Sequence, residues 1–170
     1  LSCCLYAAYP LDREVIDDFI VEGEGWYVKD GHVRILINAG SGPEALLGFN
    51  VFFYKNIGTD CEPDTNVYET RQATFNGQLT GNEYFGRPEI AVDLEFDTVF
   101  LELGRWWFCF QPILDDNCFW LTTETKECPI YVSYPDLGSY KWTIGNLIFG
   151  DDFDVSFQLT GAEKSKSLDL

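Results

Sequence analysis

The chain has 170 residues, 46% of them hydrophobic, which suits one domain with a sizeable core. Eleven Lys and Arg stand against 28 Asp and Glu, and the formal charge of −17 repels nucleic acid and anionic membrane surfaces, so neither is expected as a partner. No apolar stretch approaches the roughly 20 residues of a membrane helix, and no membrane insertion is expected.

Residues 1–12, "LSCCLYAAYPLD", read as an N-terminal arm ahead of a domain over 13–161, with a polar tail at 162–170. A bond between the adjacent Cys3 and Cys4 would close a strained ring. Separate partners are the expectation, with Cys61 one candidate and another chain a second. Period-two alternation then recurs, with no amphipathic helical stripe. After "DDFIVE" come inward rows at Val33, Ile35 and Ile37, at Phe49, Val51 and Phe53, at Ile90, Val92, Leu94 and Phe96, and at Phe153, Val155, Phe157 and Leu159. Further strands are expected near "TVFLEL", "RWWFCFQPI", "CFWLTT", "PIYVSY" and "YKWTIG". Turn signals separate them, including "KDGH", which puts the single histidine, His32, in a surface turn. Long loops at 55–67 and 75–88 are the expected mounts for a binding site.

About nine or ten short strands overfill one open sheet and leave no residues for crossover helices. The expected fold is an all-β, two-layer antiparallel β-sandwich of jelly-roll type, stabilised by disulfides. Cys109, Cys118 and Cys128 are spaced so that a hairpin or adjacent strands can close a bridge between two of them, although which two is not readable. With Cys3, Cys4 and Cys61 they make six disulfide candidates in a chain with one histidine, against the usual zinc patterns and in favour of an oxidising, extracellular or cell-surface setting. No Asn-x-Ser/Thr sequon occurs.

Catalytic constellations fail one by one. There is no histidine for a triad beyond His32, no nucleophile elbow, and no phosphate loop. Nothing marks out a carboxylate pair among the 28 acids. Glu102, between Leu101 and Leu103, is the acid placed best to leave a strand for a cleft, with a solvated face as the simpler account. No resident cofactor is expected. Calcium suits the Asp-rich turns, because it takes about 6–8 hard oxygen ligands. If the terminal strands pair, Asp17 and Asp18 from "VIDDF" meet Asp151 and Asp152 from "GDDFD", and these four are the candidate ligands of a structural calcium. Ordinary solvated turns are the other reading.

In "GRWWFCFQP" a strand sends Trp106, Phe108 and Phe110 to one face and Trp107 and Cys109 to the other. If the second face is open, Trp107 joins Trp120 and Tyr140 as a stacking platform for sugar rings; if it is covered, both faces are core.

The order of "DDFIVEGEGWYV", "GFNVFFYKN", "GTDCEPDTNVYE", "LELGRWWFCFQPI", "YKWTIG" and "DDFDVSFQLTG" resembles secreted prokaryotic β-sandwich domains that precede cell-surface sorting anchors. The residues carrying the likeness are Leu101, Gly104 and Trp107, and then Asp154, Val155, Phe157, Leu159 and Gly161. The resemblance implies a carbohydrate-binding-module-like jelly roll at the cell surface, with no settled enzymatic activity. The resulting expectation is a non-enzymatic structural or adhesive protein that partners copies of itself or other surface proteins in a layer, fibre or matrix. A carbohydrate-binding module acting on glycans is the alternative.

Overall fold

The structure is a computed structural model and describes residues 3–5, 14–114, 118–123, 128–133, 142–145, 147 and 154–164. The strands are β1 (Cys3–Leu5), β2 (Glu14–Val21), β3 (Trp26–Ile37), β4 (Gly48–Asn56), β5 (Pro63–Tyr84), β6 (Arg87–Leu101), β7 (Gly104–Ile113), β8 (Cys118–Trp120), β9 (Thr122–Thr123), β10 (Tyr131–Ser133), β11 (Thr143–Ile144), β12 (Asp154–Val155) and β13 (Phe157–Glu163). One 3-10 turn, Pro43–Ala45, precedes β4.

Every pairing is antiparallel, and eleven strands form one curled sheet in the order β1, β8, β3, β6, β5, β4, β7, β2, β10, β11, with β13 also on β3. A separate pair joins β12 to β9. The curl is built into β5. Its first half pairs with β4, ending at Ala73 opposite Phe49, while its second half pairs with β6, beginning at Thr74 opposite Glu95. A strand that changes partner midway carries the sheet around a corner and closes the core from both sides.

Three of the four predicted inward rows meet in one cluster, Val33, Ile35 and Ile37, then Phe49, Val51 and Phe53, then Ile90, Val92, Leu94 and Phe96, with Trp106, Phe108 and Phe110 from β7; of the fourth, Val155 joins it, Phe157 and Leu159 pack against it, and Phe153 lies outside the described residues. Phe157 of β13 stacks against Phe108 at 5.2 Å between ring centroids and against Phe19 of β2 at 6.1 Å. Rings from the two arms of the curl thus pack across its interior.

The opposite face of β7 is covered as well. Trp107 and Cys109 form a second cluster with Ile16, Tyr54 and Cys128, and Cys61, Tyr131 and Trp142 pack against it. Trp107 meets Tyr131 edge-on at 5.3 Å, and Tyr54 meets Trp142 at 5.0 Å. The cover is pinned by the Cys61–Cys128 disulfide, which joins residues 67 apart in sequence with a Cα separation of 5.6 Å. Tyr131 also donates its hydroxyl proton to the Cys61 carbonyl at 2.6 Å.

Three expectations are corrected. "KDGH" is no turn: residues 29–32 run through the middle of β3. Residues 75–88 are no loop either, because β5 continues to Tyr84 and β6 begins at Arg87, so only Phe85 and Gly86 turn. The close-spaced pairing among Cys109, Cys118 and Cys128 does not form. Cys109 and Cys118 lie in different clusters, on opposite faces, and Cys128 bonds Cys61 instead. The side chains of Cys3 and Cys4 lie outside the described residues.

Candidate functional site

The anticipated sites are dispersed by the pleat. Asp17 and Asp18 are neighbours on β2 and therefore point to opposite faces. Asp17 is buried and accepts the Val155 amide at Oδ2 and the Asp18 amide at Oδ1, both at 2.9 Å. Burial pushes its pKa up to about 8; the Val155 bond works against this rise and the charge of nearby Asp154 adds to it. Asp18, on the other face, pairs with the Arg105 guanidinium and accepts the Cys128 amide at 3.2 Å. The first and last Asp-rich segments do meet, through Asp17, Asp154 and Val155, but Asp17 and Asp18 cannot share one ion as expected. Asp151 and Asp152 lie outside the described residues, and among the described residues no three His, Cys, Asp or Glu side chains converge to hold a metal.

The aromatic platform is also overturned. Trp107 and Trp120 are both fully buried, so neither offers a ring face to a sugar. Trp107 Nε1 donates to Asn56 Oδ1 at 3.0 Å, and Trp120 Nε1 donates to the Ser156 carbonyl at 2.8 Å. Both indoles are satisfied core groups. Tyr140 lies outside the described residues.

Two surface features take their place. The first is a groove of about 620 Å³ across the outer face of β13, β3, β6 and β5. Register sets its side chains in two rows. Gln158, His32, Asp93 and Asn76 stand side by side on successive strands, and Thr160, Asp30, Glu95 and Thr74 form the next row. Neighbouring strands lie about 4.8 Å apart, so each row is a line of hydrogen-bonding groups. His32 Nδ1 lies 2.7 Å from Asp93 Oδ1. A carboxylate only accepts, so Nδ1 is the donor in this contact.

The second feature is the β5–β6 hairpin. Tyr84 pairs with Arg87 across a two-residue loop in which Phe85 and Gly86 both have positive φ, 55° and 72°. Loops of this shape favour Asn-Gly, because Gly adopts positive φ freely and Asn tolerates it through local hydrogen bonds of its short side chain, whereas a bulky side chain is strained there. This one holds a phenylalanine that is 73% exposed, next to the exposed Tyr84. The base of the hairpin is braced. The register slips between Leu79 and Glu83, and buried Glu89 accepts Thr80 Oγ1 at 2.6 Å and Asn82 Nδ2 at 2.7 Å while facing Arg34 at 3.5 Å. Burial alone would raise the Glu89 pKa, but these bonds and the Arg34 charge lower it, so the brace is ionised.

No family model, curated protein or solved structure matches the chain.

Neither feature is marked out by alternation alone. Asp93 reads as an ordinary outward residue, His32 as a turn residue and Asn76 as part of a loop, and only cross-strand register brings the three together. The hairpin did carry a signal: "EYFGR" puts a bulky aromatic just before a glycine, in the middle of an otherwise polar stretch.

Proposed function

We propose that the protein is a non-enzymatic, extracellular structural or adhesive domain, a two-layer jelly-roll sandwich, that associates with copies of itself. The observation that carries this reading is the braced β5–β6 hairpin with Phe85 exposed in a strained turn. Strain of this kind costs about 1–2 kcal/mol and persists where a function uses the residue. A disulfide spanning 67 residues suits an oxidising compartment. The test is light scattering on a concentration series. Growth of the scattering mass with concentration is the expected result, and a monomer at every concentration would overturn the reading.

The polar groove favours a second reading, a lectin-like module. Its amides, hydroxyls, carboxylates and imidazole match the hydroxyl groups of a glycan, with no exposed indole required. Asp93→Asn disturbs the His32 contact at an exposed site and should abolish glycan-array binding without altering the fold. An array blank for the unaltered protein would end this reading.

A further inference from the structure

The molecule carries an apolar knob at one end of β6 and an apolar hole at the other. The knob is Phe85, in the two-residue turn that leads into β6. The hole is a pocket of about 320 Å³ where β3 begins and β13 ends, lined by Trp26, Val28, Leu159, Gly161 and Ala162. Trp26 pairs with Leu101, the last residue of β6, and with Glu163, the last of β13. At about 3.3 Å per residue, the 15 residues of β6 hold the two features roughly 45–50 Å apart.

We propose that Phe85 of one copy seats in this pocket of the next, giving a head-to-tail chain of subunits. This proposal rests on the self-associating reading above and adds which surfaces meet. The volumes agree: an apolar cavity of about 150 Å³ holds a benzene ring, and this pocket has room for the phenyl group and part of its turn. One charge pair supports the match: Glu83 beside the tip has Lys164 beside the pocket to meet, while the Arg87 guanidinium lies over the Phe119 ring of its own molecule at 4.4 Å. Knob and hole occupy different surfaces, so the contact is heterologous and propagates instead of closing a two-fold dimer. A contact this small is weak singly, and the −17 charge of each copy opposes it, so it strengthens with salt.

The experiment uses two variants of the whole chain. Phe85→Asn removes the knob and suits the turn better than phenylalanine, so it keeps the fold. Ala162→Trp fills the mouth of the hole at an exposed position, and Ala162→Lys replaces it if circular dichroism shows that the indole disturbs folding. Sedimentation velocity at about 0.5 M salt should show the unaltered protein growing into larger species, and each variant alone at least tenfold weaker in association. A mixture of the two variants should form dimers that grow no further, because one supplies the only intact knob and the other the only intact hole. If the unaltered protein associates but either folded variant does so equally well, or if the mixture stays monomeric, the knob-and-hole contact is wrong while the self-associating reading stands. If the unaltered protein stays monomeric at all concentrations, both are wrong. Phe85-dependent binding to neutral phosphatidylcholine vesicles by such a monomer would then assign the tip to a lipid surface.

Discussion

The two arms of the curled sheet treat their outer faces in opposite ways. On β2, β7 and β4 the outer face is a second core, where Trp107, Cys109, Ile16 and Tyr54 lie beneath Tyr131, Trp142 and the Cys61–Cys128 bridge. On β13, β3, β6 and β5 the outer face is wet and lined with Asp30, His32, Asp93, Glu95 and their neighbours. The residues explain the contrast. A strand apolar on both faces, such as "RWWFCF", has to be covered twice, and the covering segment is held by a disulfide and by buried polar bonds. A strand alternating cleanly, such as "DLEF", is covered once and leaves its other face for ligands. Groove and projecting hairpin both belong to the once-covered arm, so stability and recognition are divided between the arms.

The contrast is broken most severely at Asp18 and Arg105, which pair where β7 meets the covering segment; the Asp18 side chain is only 2% exposed. Arg105→Met leaves a buried carboxylate without its counter-charge, and the expected loss is about 3–5 kcal/mol, read from the denaturant midpoint. A loss under about 1 kcal/mol would place this pair with ordinary surface ion pairs.

Releasing the cover comes next. Cys61→Ser with Cys128→Ser should cost about 2–4 kcal/mol and shift Trp107 emission to the red as water reaches the second cluster. The groove on the other arm should keep its properties, and a change there would show that the arms are not independent.

Asp17 sharpens the comparison through pH. Its folded pKa of about 8 stands above the ordinary value of 3.8, chiefly because of burial. The folded chain therefore keeps a proton that the unfolded chain releases. The corresponding stability is complete below pH about 4, is lost progressively as pH rises, and reaches its floor above pH about 8. Asp17→Asn removes the ionisation, so the difference in Tm between variant and unaltered protein should move in the variant's favour from about pH 5 to about pH 8. A constant difference would contradict the buried, protonated state of Asp17.

The smallest effect on stability belongs to Phe85→Asn, a gain of about 0.5–1 kcal/mol from relief of the left-handed strain, measured by thermal melting. Its interest lies in the sign, because a surface variant that gains stability while losing association marks a residue kept for contact.

Much of this arrangement is legible in the sequence, for definite reasons. Side chains alternate along a strand whatever its partners, so the split of Trp106, Phe108 and Phe110 from Trp107 and Cys109 follows from "RWWFCF" alone and holds in the structure. Partners are another matter. Gly and Asn in "FNGQLTGNEYFGR" signal a loop locally, yet cross-strand pairing and the Glu89 brace keep the stretch extended as far as Tyr84. Asp-Gly-His likewise signals a turn, but pairing with β6 on one side and β13 on the other keeps it extended, with a register shift just before Asp30. The groove was invisible because its rows exist only in register. The covered Trp107 could not be told from an exposed one, because its cover comes from residues far along the chain, fixed by a disulfide whose pairing spacing does not give.

Hydrogen–deuterium exchange on dilute and concentrated protein at one pH and salt tests the division between the arms most directly. The predicted result is slower exchange at high concentration in residues 80–87 and 159–164, with β2, β7 and β4 unchanged. Slowing confined to β2, β10 and β11, or no difference anywhere, would contradict it.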